Sequence, residues 1–130
     1  MASTEMSYGK AVRDELRVPT RELRHAIPQV YAGYKELHDA ALAPGALDAK
    51  TKELIALAIG VATRCDDCIA FHAKAAAHLG ATREEIMETL GMAIYMGAGP
   101  SVMYAAEALE AVDQITKSRV KPVAQAANSA

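Results

Sequence analysis

The chain has no tryptophan, one phenylalanine and two cysteines among its 130 residues. Without large aromatic anchors, a core has to be assembled from small and aliphatic side chains, so backbones must approach one another closely. An excess of either charge is also missing: 14 lysines and arginines stand against 16 aspartates and glutamates, a formal net charge of −2. Nucleic-acid binding, which needs a basic face to displace counterions from phosphates, is therefore not expected. No apolar run approaches the roughly 20 residues of a membrane helix; the longest extends from Leu54 to Thr63. The opening text, MASTEMSYGKAVRDELR, is polar and mixed in charge, with no apolar core or cleavage site of a secretory leader. A cytoplasmic protein with no membrane partner is expected. In that reducing setting two cysteines are a poor structural staple, and a three-residue step closes too small a loop to stabilise much.

What the chain does have is alanine and helical periodicity. Residues 1–19 carry no sustained period, and 119–130 (RVKPVAQAANSA) are small, polar and interrupted by proline. The expected organisation is a partly ordered N-terminal segment 1–19, a single domain over 20–118, and a flexible tail over 119–130. Thr20 can cap a short turn through Leu23 to Ile27, and Pro28 suits the first position of a helix carrying Val30, Tyr31, Tyr34, Leu37 and Leu42. Pro44 and Gly45 end it. Asp48 is a good N-cap for a second helix to about Thr63, whose Leu54, Ile55, Leu57, Ile59 and Val61 point in nearly every direction, as in an enclosed helix. A third runs from about Cys65 to Leu79, where Gly80 supplies a left-handed stop. Thr82 and Glu85 form a capping box for a fourth, with Ile86, Met87, Leu90, Ile94 and Tyr95. Gly97-Ala98-Gly99-Pro100 breaks the chain before a fifth through Val102, Met103, Ala106, Leu109 and Val112 to about Lys117. No segment alternates like a strand. The fold class is all-α, a compact bundle of five to six short helices.

Gly60 and Gly91 suggest close helix contacts, and Met87, Met92, Met96, Met103 and Tyr104 read as core filling. So much apolar surface in a short helical chain also exceeds what one core can hide, so a homo-oligomer is expected.

The chemistry concentrates at Cys65-Asp66-Asp67-Cys68, followed by His72. At about 100° per residue, Cys65, Cys68 and His72 fall within about 60° of one helix face. Unpaired N–H groups at a helix start favour a thiolate, Asp66 and Asp67 suit the helix dipole, and His72 adds a proton acceptor one turn beyond Cys68. Such a pair can attack an electrophilic oxygen or sulfur and resolve the product as an internal disulfide. Two thiolates, an imidazole and a carboxylate could instead complete a tetrahedral zinc set, and a pair of small buried hydrophobes is the plainest alternative. His25, His38 and His78 read as solvent-facing. Glu53 read alone is an N-terminal-turn glutamate favoured by the helix dipole, but its place in an otherwise apolar helix makes it a candidate general base.

The text from Leu47 to Val112 resembles the alkylhydroperoxidase D-like branch of the carboxymuconolactone decarboxylase family. The resemblance is carried by a glutamate twelve residues before a CxxC and a histidine four residues after it, here Glu53, Cys65, Cys68 and His72, within KELIALAIGVATRCDDCIAFHAKAAAHLGATREEIMETL. It implies a thiol-dependent hydroperoxide reductase or disulfide oxidoreductase, with no cofactor and no metal. Cys68 would be the peroxidatic nucleophile, Cys65 its resolving partner, and His72 with Glu53 the relay that deprotonates Cys68. The implied partners are a small hydroperoxide, a thiol or dihydrolipoyl protein as reductant, and further copies of the chain in a trimer or hexamer. The better-known peroxidases carry histidine immediately before the second cysteine, where this chain has Asp67, a group that disfavours a neighbouring thiolate. Decarboxylase members lack the CxxC, which leaves a proton-transfer enzyme built on His72 and Glu53 as an alternative. A metal-binding or purely oligomeric interaction protein is another.

Overall fold

A computed structural model describes residues 8–119, in which five helices and no strand occur: α1 (Tyr8–Ala26), α2 (Pro28–Leu42), α3 (Ala49–Ala62), α4 (Asp66–His78) and α5 (Arg83–Arg119). The all-α bundle expected from the periodicity is the observed fold.

Local chemistry accounts for the boundaries. Pro28 opens α2, where its missing N–H costs nothing. The Asp48 carboxylate caps α3 by accepting the Thr51 N–H at 2.7 Å. Lys52, a turn later, donates to the carbonyls of Ala41 and Ala43 (3.0 and 2.5 Å), satisfying acceptors that the end of α2 leaves open. At the start of α5 the Glu85 N–H donates to Thr82 Oγ1 at 3.1 Å while the Thr82 N–H donates to Glu85 Oε2 at 2.8 Å. Lys50 donates to the other Glu85 oxygen at 2.8 Å, which ties α3 to α5.

The expected break after Gly97 is present within α5. Ala98 leaves the helical region (φ 55°, ψ −144°), so α5 is two helical arms joined at a kink just before Pro100. A β-carbon on Gly97 would lie 1.8 Å from the buried Ser101 hydroxyl, so the kink closes only around a glycine.

The core lies between α3, α4 and α5. Leu57, Val61, Ile69, Ile86 and Leu90 interlock there with Ala73, Ala76, Ala93, Ala105, Ala108 and Ala111. Small side chains thus do what the aromatic-poor composition required, letting three helices approach closely.

Several expectations are corrected. The segment before residue 20 is helical from Tyr8, so α1 runs through Thr20 and contains Pro19. It is a polar but strongly amphipathic helix docked on α4 and α5, whose helical period runs on from before residue 20 and across Pro19. The expected tail lies outside the described residues from 120 onward. No residue of α2 is buried, and its Val30, Tyr34 and Leu37 stripe is exposed among the described residues. The helix α3 is enclosed on one side only, with Ile55 and Ile59 exposed. Met87, Met92, Met96 and Met103 are exposed instead of filling the core, since alanines already occupy the inward positions; Tyr104 does pack against the core. A β-carbon on Gly91 would meet nothing within 4 Å. Among the described residues, no helix is long and apolar enough to cross a membrane.

Candidate active site

The turn between α3 and α4 places the cysteines. The end of α3 folds into a doubly bonded reversal: the Cys65 N–H donates to the Gly60 carbonyl at 3.0 Å and the Arg64 N–H to the Val61 carbonyl at 3.2 Å. That motif needs a left-handed residue, and Arg64 supplies it at φ 57°. The same motif ends α4, where the Ala81 N–H bonds to the Ala76 carbonyl at 3.0 Å and the Gly80 N–H to the Ala77 carbonyl at 3.2 Å. There the left-handed residue is Gly80, as expected. The reversal after α3 uses a residue that strains to adopt it. Its consequence is a very short connection that delivers Cys65 as the N-cap of α4.

Cys65 and Cys68 are joined as a disulfide, with Cα atoms 5.2 Å apart. The Cys65 sulfur also accepts the Cys68 N–H at 3.2 Å, taking the part that a serine or aspartate oxygen plays at other helix starts. Both cysteines are half-buried. Gly60 brings α3 against this turn: a β-carbon there would sit 3.3 Å from Cys68 Cβ.

One turn along α4 from Cys68, His72 meets Glu53 of α3. The Nδ1 of His72 lies 2.6 Å from Glu53 Oε2. Glu53 is buried, at 7% exposure, and His72 is half-buried. A bond from Nδ1 to the carboxylate orients the ring and leaves Nε2 for other work, the way a carboxylate steers a histidine in acid–base chemistry. The structure thus joins the four residues in two pairs, Glu53 with His72 and Cys65 with Cys68, and His72 follows Cys68 by one turn of α4. Phe71 meets the ring of His72 edge-on at 5.0 Å and that of His38 at 5.7 Å. His38 is consequently half-buried against α4 and not simply solvent-facing; His25 and His78 are exposed. Among the described residues, no group of three or more His, Cys, Asp or Glu side chains is arranged to hold a metal ion.

One feature of the site escaped the sequence reading. Glu107 of α5 hydrogen-bonds Asp66 in the first turn of α4, next to Cys65. Desolvation pushes the Glu107 carboxyl up to about 7, and the hydrogen bond and negative charge of Asp66 add to the rise. Its signal was present in AAEALEAV, where a glutamate interrupts an alanine face that packs inward.

An all-α bundle presenting a vicinal cysteine pair at a helix start, backed by a carboxylate–imidazole pair, defines the class. The chain belongs to the carboxymuconolactone decarboxylase family, whose model matches residues 28–111. The family's fold recurs in apo-lpg0406, a carboxymuconolactone decarboxylase family protein of Legionella pneumophila. The two superpose with a TM-score of 0.80 at 48% identity, over 83% of this chain and 96% of that one. TM1620 of Thermotoga maritima, a family member whose description suggests involvement in antioxidative response, superposes with a TM-score of 0.66 at 32% identity, over 70% of this chain and 94% of that one. In sequence the chain is 42% identical to the uncharacterized protein H16_B0147 of Cupriavidus necator across 93 residues, 72% of this chain and 82% of that protein. It is 44% identical to an uncharacterized protein of Haemophilus influenzae across 90 residues, 69% of this chain and 80% of that one.

Proposed function

We propose that the protein is a thiol-dependent hydroperoxide reductase of the alkylhydroperoxidase type, cycling its CxxC between dithiol and disulfide in a reducing cytoplasm. The observation that carries the reading is the pairing of buried Glu53 with His72, one turn along α4 from a disulfide whose first sulfur caps that helix. A redox-inert pair of core cysteines would need neither an oriented imidazole nor a helix start.

In the proposed cycle, His72 takes the Cys68 thiol proton and Glu53 steadies the resulting imidazolium. The thiolate attacks the terminal oxygen of the hydroperoxide; an S–O bond forms, the O–O bond breaks, and the alcohol leaves with the returned proton. The Cys65 thiol then attacks the sulfenic sulfur, forming the disulfide and releasing water. One hydroperoxide is reduced to an alcohol and water while two thiols are oxidised. A thiol or dihydrolipoyl protein reopens the disulfide by exchange. The Cys65 sulfur, held by the Cys68 N–H, is a well-stabilised leaving group for that step.

Thiol titration of reduced protein before and after one equivalent of hydroperoxide tests the reading. Loss of two thiols is expected; retention of both would overturn it. Cys65→Ser should accumulate a trappable sulfenate at Cys68, and Cys68→Ser should lose peroxide reactivity. Equal reactivity of the two variants would refute the roles, and an activity surviving the loss of both thiols would point to proton-transfer chemistry. Stoichiometric zinc in protein purified without chelator would favour a metal-binding role.

A further inference from the structure

The cycle above uses nothing from α1, yet three arginines of α1 share a cleft with Asp67, which stands between the two cysteines in the chain. Arg17, Arg21 and Arg24 recur at steps of four and three, which puts them on one stripe of the helix. Like charges so spaced work against the helix by a few tenths of a kcal/mol each, so the arrangement is not explained by the stability of α1. The stripe lines a cleft of about 680 Å³ that also includes Asp67, the residue between Cys65 and Cys68 in the chain. Three guanidiniums and two carboxylates, Asp14 and Asp67, line it together with the Thr20 hydroxyl and the aliphatic Leu16 and Val18. Arg24 is engaged over the ring of Tyr31 at 5.5 Å, which anchors α1 to α2. Arg17 and Arg21, one turn apart, are exposed in the cleft.

We infer that this cleft binds an amphiphilic carboxylate, an alkyl acid whose head group is held by Arg17 and Arg21 and whose chain lies along Leu16 and Val18 toward the disulfide. The volume suits a molecule of that size. Guanidinium forks match a carboxylate in bidentate geometry. Leu16 and Val18 beside the guanidiniums favour an acid with an alkyl tail over a small hydrophilic anion. The inference builds on the proposed redox cycle in one respect: the acid is a substrate of the CxxC, either an oxidant bearing a hydroperoxide or a reductant bearing a thiol.

Binding is separable from redox chemistry with octanoate, which has no redox group, and octanol, its neutral counterpart. Titrated into the oxidised protein and followed by calorimetry or amide shifts, octanoate should bind at least about tenfold more tightly than octanol, the preference shrinking as salt is raised. Arg17→Gln with Arg21→Gln should abolish the preference. Arg17→Lys with Arg21→Lys, folded alike and still charged, should keep most of it. Equal affinity for acid and alcohol, no binding, or an unchanged preference in the glutamine variant would overturn the inference. Two further arms locate the acid: a fatty-acid hydroperoxide against its methyl ester for oxidation, and 8-mercaptooctanoate against its methyl ester for reopening. In one arm the acid should outrun the ester, with a ratio that falls toward one in the glutamine variant. Ratios near one in both arms would overturn the substrate assignment. Selective octanoate binding without any thiol oxidation would keep the cleft and defeat the redox reading instead.

Discussion

At the scale of single residues, two reversals built to the same hydrogen-bond pattern differ in the residue that bears the strain. Gly80 occupies its left-handed position without a β-carbon to object, whereas Arg64, immediately before Cys65, adopts φ 57° against a steric penalty of roughly 1 kcal/mol. Arg64→Gly should therefore raise stability by up to about 1 kcal/mol, read as a higher denaturant midpoint at unchanged slope. A lower midpoint would mean that the arginine side chain contributes more than its backbone costs. Strain held beside a reactive pair is common where geometry has to be exact in a turn, and here it sets Cys65 at the head of α4.

Between elements, the junctions of α3, α4 and α5 decide both stability and its dependence on pH. Glu107 has a folded-state pKa of about 7 against an ordinary 4.5, a raised value. A raised carboxyl contributes stability that is complete below the unfolded pKa and is lost as pH climbs through the folded one. The wild-type protein should accordingly weaken between about pH 4.5 and 7, the window bounded by those two values. Glu107→Gln should lack that component, so its advantage over wild type should grow across the window. The gain should be on the order of 1 kcal/mol after solvent screening, and parallel curves of stability against pH for the two proteins would contradict it. The kink in α5 gives a second expectation. Gly97→Ala forces a β-carbon onto the Ser101 hydroxyl and should cost about 1–3 kcal/mol. Gly91→Ala, in an open stretch of the same helix, should instead gain up to about 1 kcal/mol. Thermal melts of the two variants should move in opposite directions.

For the whole molecule, the distribution of apolar surface is the leading fact. Val30, Tyr34 and Leu37 are each more than 60% exposed along one stripe of α2, and Ile59, Met92, Tyr95, Met96 and Met103 stand out from α3 and α5. A monomer rarely presents so much. This supports the proposal of a homo-oligomer, in which copies of the chain cover these faces. Light scattering coupled to size exclusion should show a mass that is a multiple of the 13.8 kDa chain, and Tyr34→Glu with Leu37→Glu should lower it. A wild-type monomer at micromolar concentration would refute the proposal.

Much of this protein was legible before any fold was known, because the signals were local. Helix ends follow from capping chemistry that Asp48, Thr82, Glu85 and Gly80 carry in their own side chains or backbones. The common face of Cys68 and His72 follows from the helical repeat alone, whereas Cys65, the extended N-cap, is set by the turn before α4. Other features depend on which surfaces meet, and composition does not encode that. The inward positions of α3, α4 and α5 went to alanine, which displaced the methionines to the exterior. Helix α1 owes its order to neighbours far along the chain, and its arginines became a wall of a cleft only through that docking. By itself, then, the sequence determined where helices begin and end and which residues could do chemistry. Tertiary packing alone decided that Glu53 reaches His72, that Glu107 shares a hydrogen bond with Asp66, and that the described residues bury no side chain of α2, since each depends on contacts between residues distant in the chain.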